Sequence, residues 1–169
     1  MSAPKFDGED IAHARAWLEL ARDPAALEAL DAIYDETSAR IRERGPACWA
    51  SGRCCNFERT GHLLYVTGLE AAATMTRAAR ARSSPLALAP ATPGACPFQE
   101  GNLCAVHTVR PLGCRVYFCD RAAQDWQRSL TEAMQEQVRA LHDRLGAPYR
   151  YAEWRWLLAL VRDAGATSC

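Results

Sequence analysis

Seven of the eight cysteines of this 169-residue chain fall into two short clusters. The first cluster spans residues 48–55, the second spans residues 96–119, and forty residues lie between them. If the chain folds back so that the clusters meet, they form a pocket rich in thiols. Zinc and iron–sulfur clusters are typically held by four thiolates, so the clusters predict a metal site. Its candidate ligands are Cys48, Cys54, Cys55, Cys96, Cys104, Cys114 and Cys119.

The number and spacing of these cysteines constrain the kind of site. Seven exceed what one four-coordinate ion needs, so either three have another role or the site holds more than one metal. None of the spacings is the C-x2-C of an ordinary zinc finger, which disfavours a simple structural zinc. Adjacent residues point in different directions, so Cys54 and Cys55 fit poorly around one tetrahedral ion. We expect four to six of the seven to coordinate metal.

The composition is that of an ordinary globular chain. Apolar residues make up 49% and charged residues 24%, so residues 1–169 are expected to form a single domain that buries its core without disulfides. The formal net charge is zero, and this gives no overall basic field that would attract nucleic acid or an anionic membrane. We therefore expect no nucleic-acid partner and no membrane association, whereas a protein partner stays open.

The ends of the chain also bear on its location. The first ten residues contain no apolar segment of signal-peptide length, and the most apolar stretch, residues 154–161, is far too short to cross a bilayer. We therefore expect a cytoplasmic protein. Cysteine clusters in that reducing compartment bind metal or perform redox chemistry more often than they form disulfides. A disulfide framework is the weaker alternative.

The apolar pattern predicts a mostly α fold, with helices packed around an irregular cysteine-rich metal-binding loop core and at most a short strand or hairpin. The predicted parts are a helical N-terminal part (9–45), a cysteine-cluster core (46–120) and C-terminal helices (120–165). In the first part, Asp23 and Pro24 predict the start of a second helix, and Gly45-Pro46 predicts its end.

Within the core, residues 62–66 resemble a short strand or extended segment. Thr67 and Glu70 have the spacing of a capping box that begins a helix to about Arg82, and residues 83–94 predict a loop. The second cysteine cluster is expected to be irregular, with at most one helical turn near residues 105–109. In the C-terminal part we expect one helix from Asp120 to Leu145 and a last helix over about 149–164.

Charged residues lie beside the cysteines. Thiolate-rich centres are usually net negative, so the guanidinium groups of Arg110 and Arg115 are candidates to bind and neutralise a cofactor there, with ordinary surface salt bridges as the alternative. His107 lies within the second cluster, and a structural role is favoured over ligation. Cys169, the last residue, is expected to be a free thiol.

The order of these residues resembles the YkgJ-type cysteine-cluster family, described as a zinc- or iron-chelating domain. The resemblance covers residues 48–119, and Ser51 stands where the family often has another cysteine. It implies metal binding, without an established reaction, and a related cysteine-rich region occurs in flagellin lysine N-methylases. The matching residues are Cys48, Gly52, Cys54-Cys55, Cys96-Pro97-Phe98, Cys104, Val106, His107, Arg110-Pro111, Cys114-Arg115, Tyr117 and Cys119.

These observations favour a metal-binding protein that holds iron, preferably as an iron–sulfur cluster, or Zn²⁺ through clustered thiolates. One alternative is a metal-dependent redox or group-transfer enzyme in which a spare thiol such as Cys55 takes part. Another is a zinc-stabilised module that binds a protein partner. The sequence contains no P-loop, no Ser-His-Asp motif and no H-E-x-x-H that would identify a catalytic residue.

Overall fold

The computed structural model describes residues 4–48, 52–61, 63–81 and 94–166. This part of the chain is mostly helical, so the predicted mostly α class is confirmed. Its helices are α1 (Gly8–Leu20), α2 (Pro24–Arg44), α3 (Phe57–Thr60), α4 (Gly68–Ala81), α5 (Leu112–Val116), α6 (Gln124–Leu145) and α7 (Trp154–Ala166). Its strands are β1 (Tyr65–Thr67), β2 (Gln99–Glu100), β3 (Leu103–Cys104) and β4 (Tyr151–Glu153).

The N-terminal helices lie where the sequence predicts them. The carboxylate of Asp23 accepts a 2.9 Å hydrogen bond from the amide of Ala25, and Pro24 occupies the first helical position of α2. Gly45 ends this helix in the left-handed conformation, with φ at 64°. The predicted start and end of α2 are therefore confirmed.

The core is formed where α1 packs against α4 and α7, and where α2 packs against α6. Trp17, Leu69 and Leu157 are buried in it and come from the N-terminal, central and C-terminal parts of the chain. Burial of each such side chain contributes roughly 1.5–3 kcal/mol. Trp17 lies so close to α4 that a Cβ at Gly68 would be 2.4 Å from the indole ring, so this contact requires glycine.

The central helix α4 begins with the predicted capping box. The carboxylate of Glu70 accepts hydrogen bonds from the amide (3.0 Å) and the hydroxyl (2.9 Å) of Thr67. The helix is described to Ala81, so its predicted end at Arg82 and most of the predicted loop 83–94 lie outside the described residues. His62, at the start of the predicted strand segment, also lies outside them.

The structure contains more strand than expected. β1 pairs antiparallel with β4, with Val66 opposite Ala152, and β2 and β3 form a small hairpin. The apolar pattern predicts a helix from about residue 149, but residues 151–153 form β4 and the last helix begins at Trp154. The error arose because residues 151–153 take their extended form from pairing with β1, a contact about 85 residues away along the chain.

Two further predictions about the cysteine region and its exit need correction. The second cluster is not wholly irregular, because it also contains the short helix α5. Asp120 caps a 3₁₀ turn over Arg121–Ala123, and α6 follows from Gln124. Within the described residues, no helix is long and apolar enough to cross a membrane.

Candidate metal centre

The two cysteine clusters meet in the fold. The amide of Cys96 donates a 2.7 Å hydrogen bond to the carbonyl oxygen of Cys55, and Asn56 forms an isolated antiparallel bridge with Ala95. The side chain of Gln99 adds a 3.2 Å hydrogen bond to the carbonyl oxygen of Gly52. The chain therefore folds back so that the two cysteine clusters meet.

Gly52 allows this close approach. Its φ is +69°, and a Cβ at this position would lie 2.9 Å from the Cα of Asn102, at the tip of the β2–β3 hairpin. Such a position requires a residue without a side chain, because both the left-handed backbone and the neighbouring main chain exclude one. The first cluster is thus seated directly on the hairpin that carries Cys104.

All seven clustered cysteines line one cavity of about 180 Å³, which we call the thiol cavity. They are free thiols, so the disulfide alternative finds no support among the described cysteines. The eighth cysteine, Cys169, lies outside the described residues. The lining cysteines are Cys48, Cys54, Cys55, Cys96, Cys104, Cys114 and Cys119.

These thiols differ in their exposure to solvent. Cys96 is buried, and Cys55, Cys104 and Cys114 are half-buried, so we call these four the enclosed cysteines. The other three cysteines, which we call the rim cysteines, are exposed: Cys48, Cys54 and Cys119. The enclosed cysteines have the more limited access to solvent, which is the environment expected of permanent ligands.

Three of the thiols are coupled by hydrogen bonds. The sulfurs of Cys54 and Cys55 are 3.9 Å apart. The hydrogen bond from Cys55 lowers the pKa of Cys54 to about 6, and a hydrogen bond from Cys55 also lowers the pKa of Cys96 to about 7. The pKa of Cys55 is correspondingly raised, because its proton is shared with these two sulfurs. The pKa values of Cys54 and Cys96 are thus both lowered toward neutrality.

The deeper thiols hold their protons more tightly. Burial raises the pKa of Cys104, and it raises the pKa of Cys114 well above its ordinary value, with the charge of Cys96 adding to both shifts. A metal ion that binds these sulfurs has to displace their protons, so its affinity should rise with pH. The cavity thus combines thiols of lowered pKa with thiols of raised pKa.

Backbone amides support two of the sulfurs in the same way. The amide of Phe98 donates to the sulfur of Cys96, and the amide of Val106 donates to the sulfur of Cys104. In each case the donor lies two residues after the cysteine, on either side of the β2–β3 hairpin. Amide donors of this kind stabilise negative sulfur and orient metal ligands.

The two candidate arginines have different positions. Arg110 lines the thiol cavity, and its charge lowers the pKa of Cys54 in addition to the larger effect of Cys55. Its Nε atom is buried and has no hydrogen-bond partner among the described residues. A cationic group with a free donor beside thiolates suits a net negative centre.

Arg115 lies behind the cavity and is not among its lining residues. Its guanidinium lies 4.2 Å from the centroid of the Tyr34 ring, and its nitrogens donate to the carbonyl oxygens of Arg110 (2.8 Å) and Thr108 (2.9 Å). Arg115 therefore holds the turn before α5, and its role in binding a cofactor stays a prediction. His107 lines the cavity, and burial lowers its pKa, with Arg110 and Arg115 adding to the shift.

Sequence reasoning missed two residues that support the cavity. The indole Nε1 of Trp154 donates a 3.4 Å hydrogen bond to the sulfur of Cys96. Glu70, identified only as a helix cap, also accepts a 2.7 Å hydrogen bond from the amide of Leu112, at the start of the helix that carries Cys114. The capping motif could have drawn attention to Glu70, but nothing in the sequence pairs Trp154 with a cysteine 58 residues away.

Thiol groups are suitable ligands for iron and zinc, so the chemistry of the cavity lining fits a metal centre. The seven thiols are not, however, gathered around one point. Within the described ranges, no group of three or more metal-binding side chains has the spacing to hold a single ion. Seven sulfurs instead surround a space more than ten times the about 10–15 Å³ that one water molecule needs. The seven cysteines thus line one cavity without converging on a single point.

Comparisons of the chain with protein-family models, with curated proteins and with solved structures gave no match. The chemistry of the thiol cavity therefore has to be argued from its own geometry.

Proposed function

We propose that this chain is a metal-binding protein that holds iron, as an iron–sulfur cluster, in the thiol cavity. The observation that carries the proposal is the convergence of all seven clustered cysteines on one cavity. Thiolates are the usual protein ligands of such clusters, and a hydrogen-bonded, partly enclosed pocket is where they are held. The proposed fold is accordingly a set of helices around a cysteine-rich metal-binding core.

The enclosed cysteines are the proposed principal ligands: Cys55, Cys96, Cys104 and Cys114. They number four, as an iron–sulfur cluster requires, and the protein shields them from solvent. The rim cysteines would then deliver metal, complete the coordination or exchange ligands. When bound, an iron–sulfur cluster supplies one-electron transfer; the chain's own contribution is to exclude water, to donate amide hydrogen bonds and to place the charge of Arg110 beside the sulfurs.

Zinc is the second candidate. The Cys54–Cys55 pair favours it, because the two sulfurs lie closer together than expected for adjacent residues that point in different directions. Four thiolates around zinc at about 2.3 Å have sulfurs about 3.8 Å apart, close to the 3.9 Å between these two sulfurs. A zinc ion bound through Cys54 and Cys55 would hold the first cysteine cluster against the β2–β3 hairpin. The protein would then be a zinc-stabilised module that binds a protein partner. This candidate predicts redox-silent protein with zinc that depends on Cys54.

The proposal extends to the location of the protein, its family resemblance and its reaction. A reducing, cytoplasmic location would keep the thiols free to bind metal. The resemblance to the YkgJ-type cysteine-cluster family is proposed to reflect a shared way of chelating metal. A redox or group-transfer reaction at the centre stays a proposal without an assigned catalytic residue.

The proposal is tested by titrating the reduced, metal-free protein with iron plus sulfide, and separately with zinc, under anaerobic conditions. Wild type should take up iron and sulfide together and develop a broad visible band. Cys96→Ser with Cys114→Ser should bind much less of both, and Cys169→Ser, which alters the cysteine outside the two clusters, should match wild type. Equal uptake by the double variant would overturn the assignment of the enclosed cysteines as ligands.

A further inference from the structure

The buried indole of Trp154 donates its hydrogen bond to a sulfur atom, which is an unusual acceptor for such a group. Its side chain is 1% exposed, and its indole nitrogen donates 3.4 Å to the sulfur of Cys96, which is itself only 5% exposed. A buried indole N–H normally finds a good acceptor, because leaving it unpaired is costly. A neutral thiol is a weak acceptor, whereas a thiolate is a strong one. The indole N–H is therefore directed at the sulfur of a proposed ligand.

Trp17 provides a direct comparison within the same protein. Its indole nitrogen is also buried, and it donates a 2.8 Å hydrogen bond to the carbonyl oxygen of Pro148, an ordinary strong acceptor. The fold can thus offer a backbone carbonyl to a buried indole. At Trp154 it offers the sulfur of a proposed ligand instead.

The position of Trp154 is fixed from several sides. It is the first residue of α7, and its amide donates a 2.8 Å hydrogen bond to the carbonyl oxygen of Leu64. Its ring packs against Phe98, with centroids 6.0 Å apart. Phe98 also supplies the amide that donates to Cys96, so two N–H donors reach one sulfur. These contacts fix the direction of the indole N–H toward the sulfur.

We propose that Trp154 is a positioning residue that sets the electron affinity of the metal centre through its hydrogen bond to Cys96. This inference rests on the proposed function. A donor to a ligating sulfur withdraws charge from it, so it stabilises the more reduced and more negative state of the centre. Removal of the indole N–H should lower the midpoint potential and leave the ligands in place.

The test compares Trp154→Phe with two matched variants. Trp17→Phe removes a buried indole hydrogen bond away from the cavity, and Trp156→Phe changes the tryptophan two residues along α7, which packs against Phe6. All are loaded with iron and sulfide for potentiometry and, separately, with Co²⁺, whose thiolate-to-metal absorption band reports on the sulfurs whichever metal is native. To guard against misfolding, Trp154 is also replaced by benzothienylalanine, which keeps the shape and lacks the N–H.

The expected result is a lower midpoint potential and a Co²⁺ band shifted to longer wavelength for both Trp154 replacements, with neither change in the two controls. Metal binding with unchanged potential and an unchanged Co²⁺ band in these replacements would overturn the role of Trp154 and leave the metal centre standing. A wild-type protein that binds neither iron nor Co²⁺ through its cysteines would overturn the proposed function, and this inference with it.

Discussion

The amide of Cys96 donates a hydrogen bond of 2.7 Å to the carbonyl oxygen of Cys55, so the backbones of the two cysteine clusters are joined directly. The thiols of these same residues are hydrogen-bonded to each other, which lowers the pKa of Cys96. The cavity is therefore assembled by the main chain, with the sulfurs brought together as a consequence. Substitutions that separate the two backbones should therefore reduce metal binding in the thiol cavity even when all seven cysteines are retained.

Replacement of Gly52 by Ala should disrupt the cavity without touching a thiol. The new Cβ would lie 2.9 Å from the Cα of Asn102, and an alanine at φ +69° costs about 1–2 kcal/mol in backbone strain alone. We expect lower metal content and a lower melting temperature. Gly61→Ala is the control, because φ is +65° there but nothing lies within 4 Å of the Cβ position. Equal effects of the two substitutions on metal content would contradict the seating of the first cluster on the hairpin.

Replacement of Cys114 by Ser should lower bound metal and destabilise the metal-loaded fold. Cys114 is an enclosed cysteine on α5, and a serine hydroxyl is a poor ligand for a metal that prefers thiolate. Metal content and the melting temperature of the loaded protein are the measurements. Cys119→Ser, at the exposed rim, should lose less of both. A Cys114→Ser protein with unchanged metal content and melting temperature would remove Cys114 from the ligand set.

Glu70→Gln should destabilise the fold and loosen the helix that carries Cys114. The buried carboxylate accepts hydrogen bonds from Tyr34, Thr67 and the amide of Leu112, and an amide group replaces one acceptor oxygen with a donor. Leaving buried donors without a partner costs about 1–3 kcal/mol each. We expect about 3 kcal/mol less free energy of unfolding in urea denaturation. Glu28→Gln, on the exposed side of α2, should change it by less than about 0.5 kcal/mol.

His142 should make the fold less stable as the pH falls. It is fully buried, and burial lowers its pKa, so the folded state holds the neutral ring while the unfolded chain protonates near its ordinary pKa of about 6.5. Because the unfolded state binds more protons below that pH, the free energy of unfolding declines as the pH falls from about 6.5 toward the lower folded pKa.

This dependence is measured by urea denaturation between pH 7.5 and 5 on reduced, metal-free protein. Cys54 and Cys96 titrate in part of the same range, so wild type is compared with His142→Gln, which retains both cysteines. The variant is expected to be less stable at pH 7.5 and to lose less stability on acidification. Parallel pH profiles for the two proteins would show that His142 is not responsible.

The sequence was sufficient for features encoded by neighbouring residues. Asp23, Pro24 and Gly45 set the limits of α2 through local capping chemistry, and the Thr67–Glu70 box began α4 as predicted. The two cysteine clusters were expected to form one pocket if the chain folded back, and all seven of these cysteines line one cavity.

Features that depend on distant contacts were not predictable. Helix α5 begins where the amide of Leu112 meets Glu70, 42 residues earlier in the chain, and β4 is extended because it pairs with β1. The same holds for the contact between Arg115 and the ring of Tyr34, 81 residues earlier, which places the guanidinium behind the cavity.

The proposed metal centre is tested by analysing iron, zinc and acid-labile sulfide, together with the visible spectrum, in protein purified without oxygen. An iron–sulfur cluster in the thiol cavity predicts iron and sulfide in comparable amounts and a broad absorption band near ~400 nm, both lost when the enclosed cysteines are replaced. Colourless protein that contains neither iron nor sulfide, and that cannot be loaded with them, would contradict it.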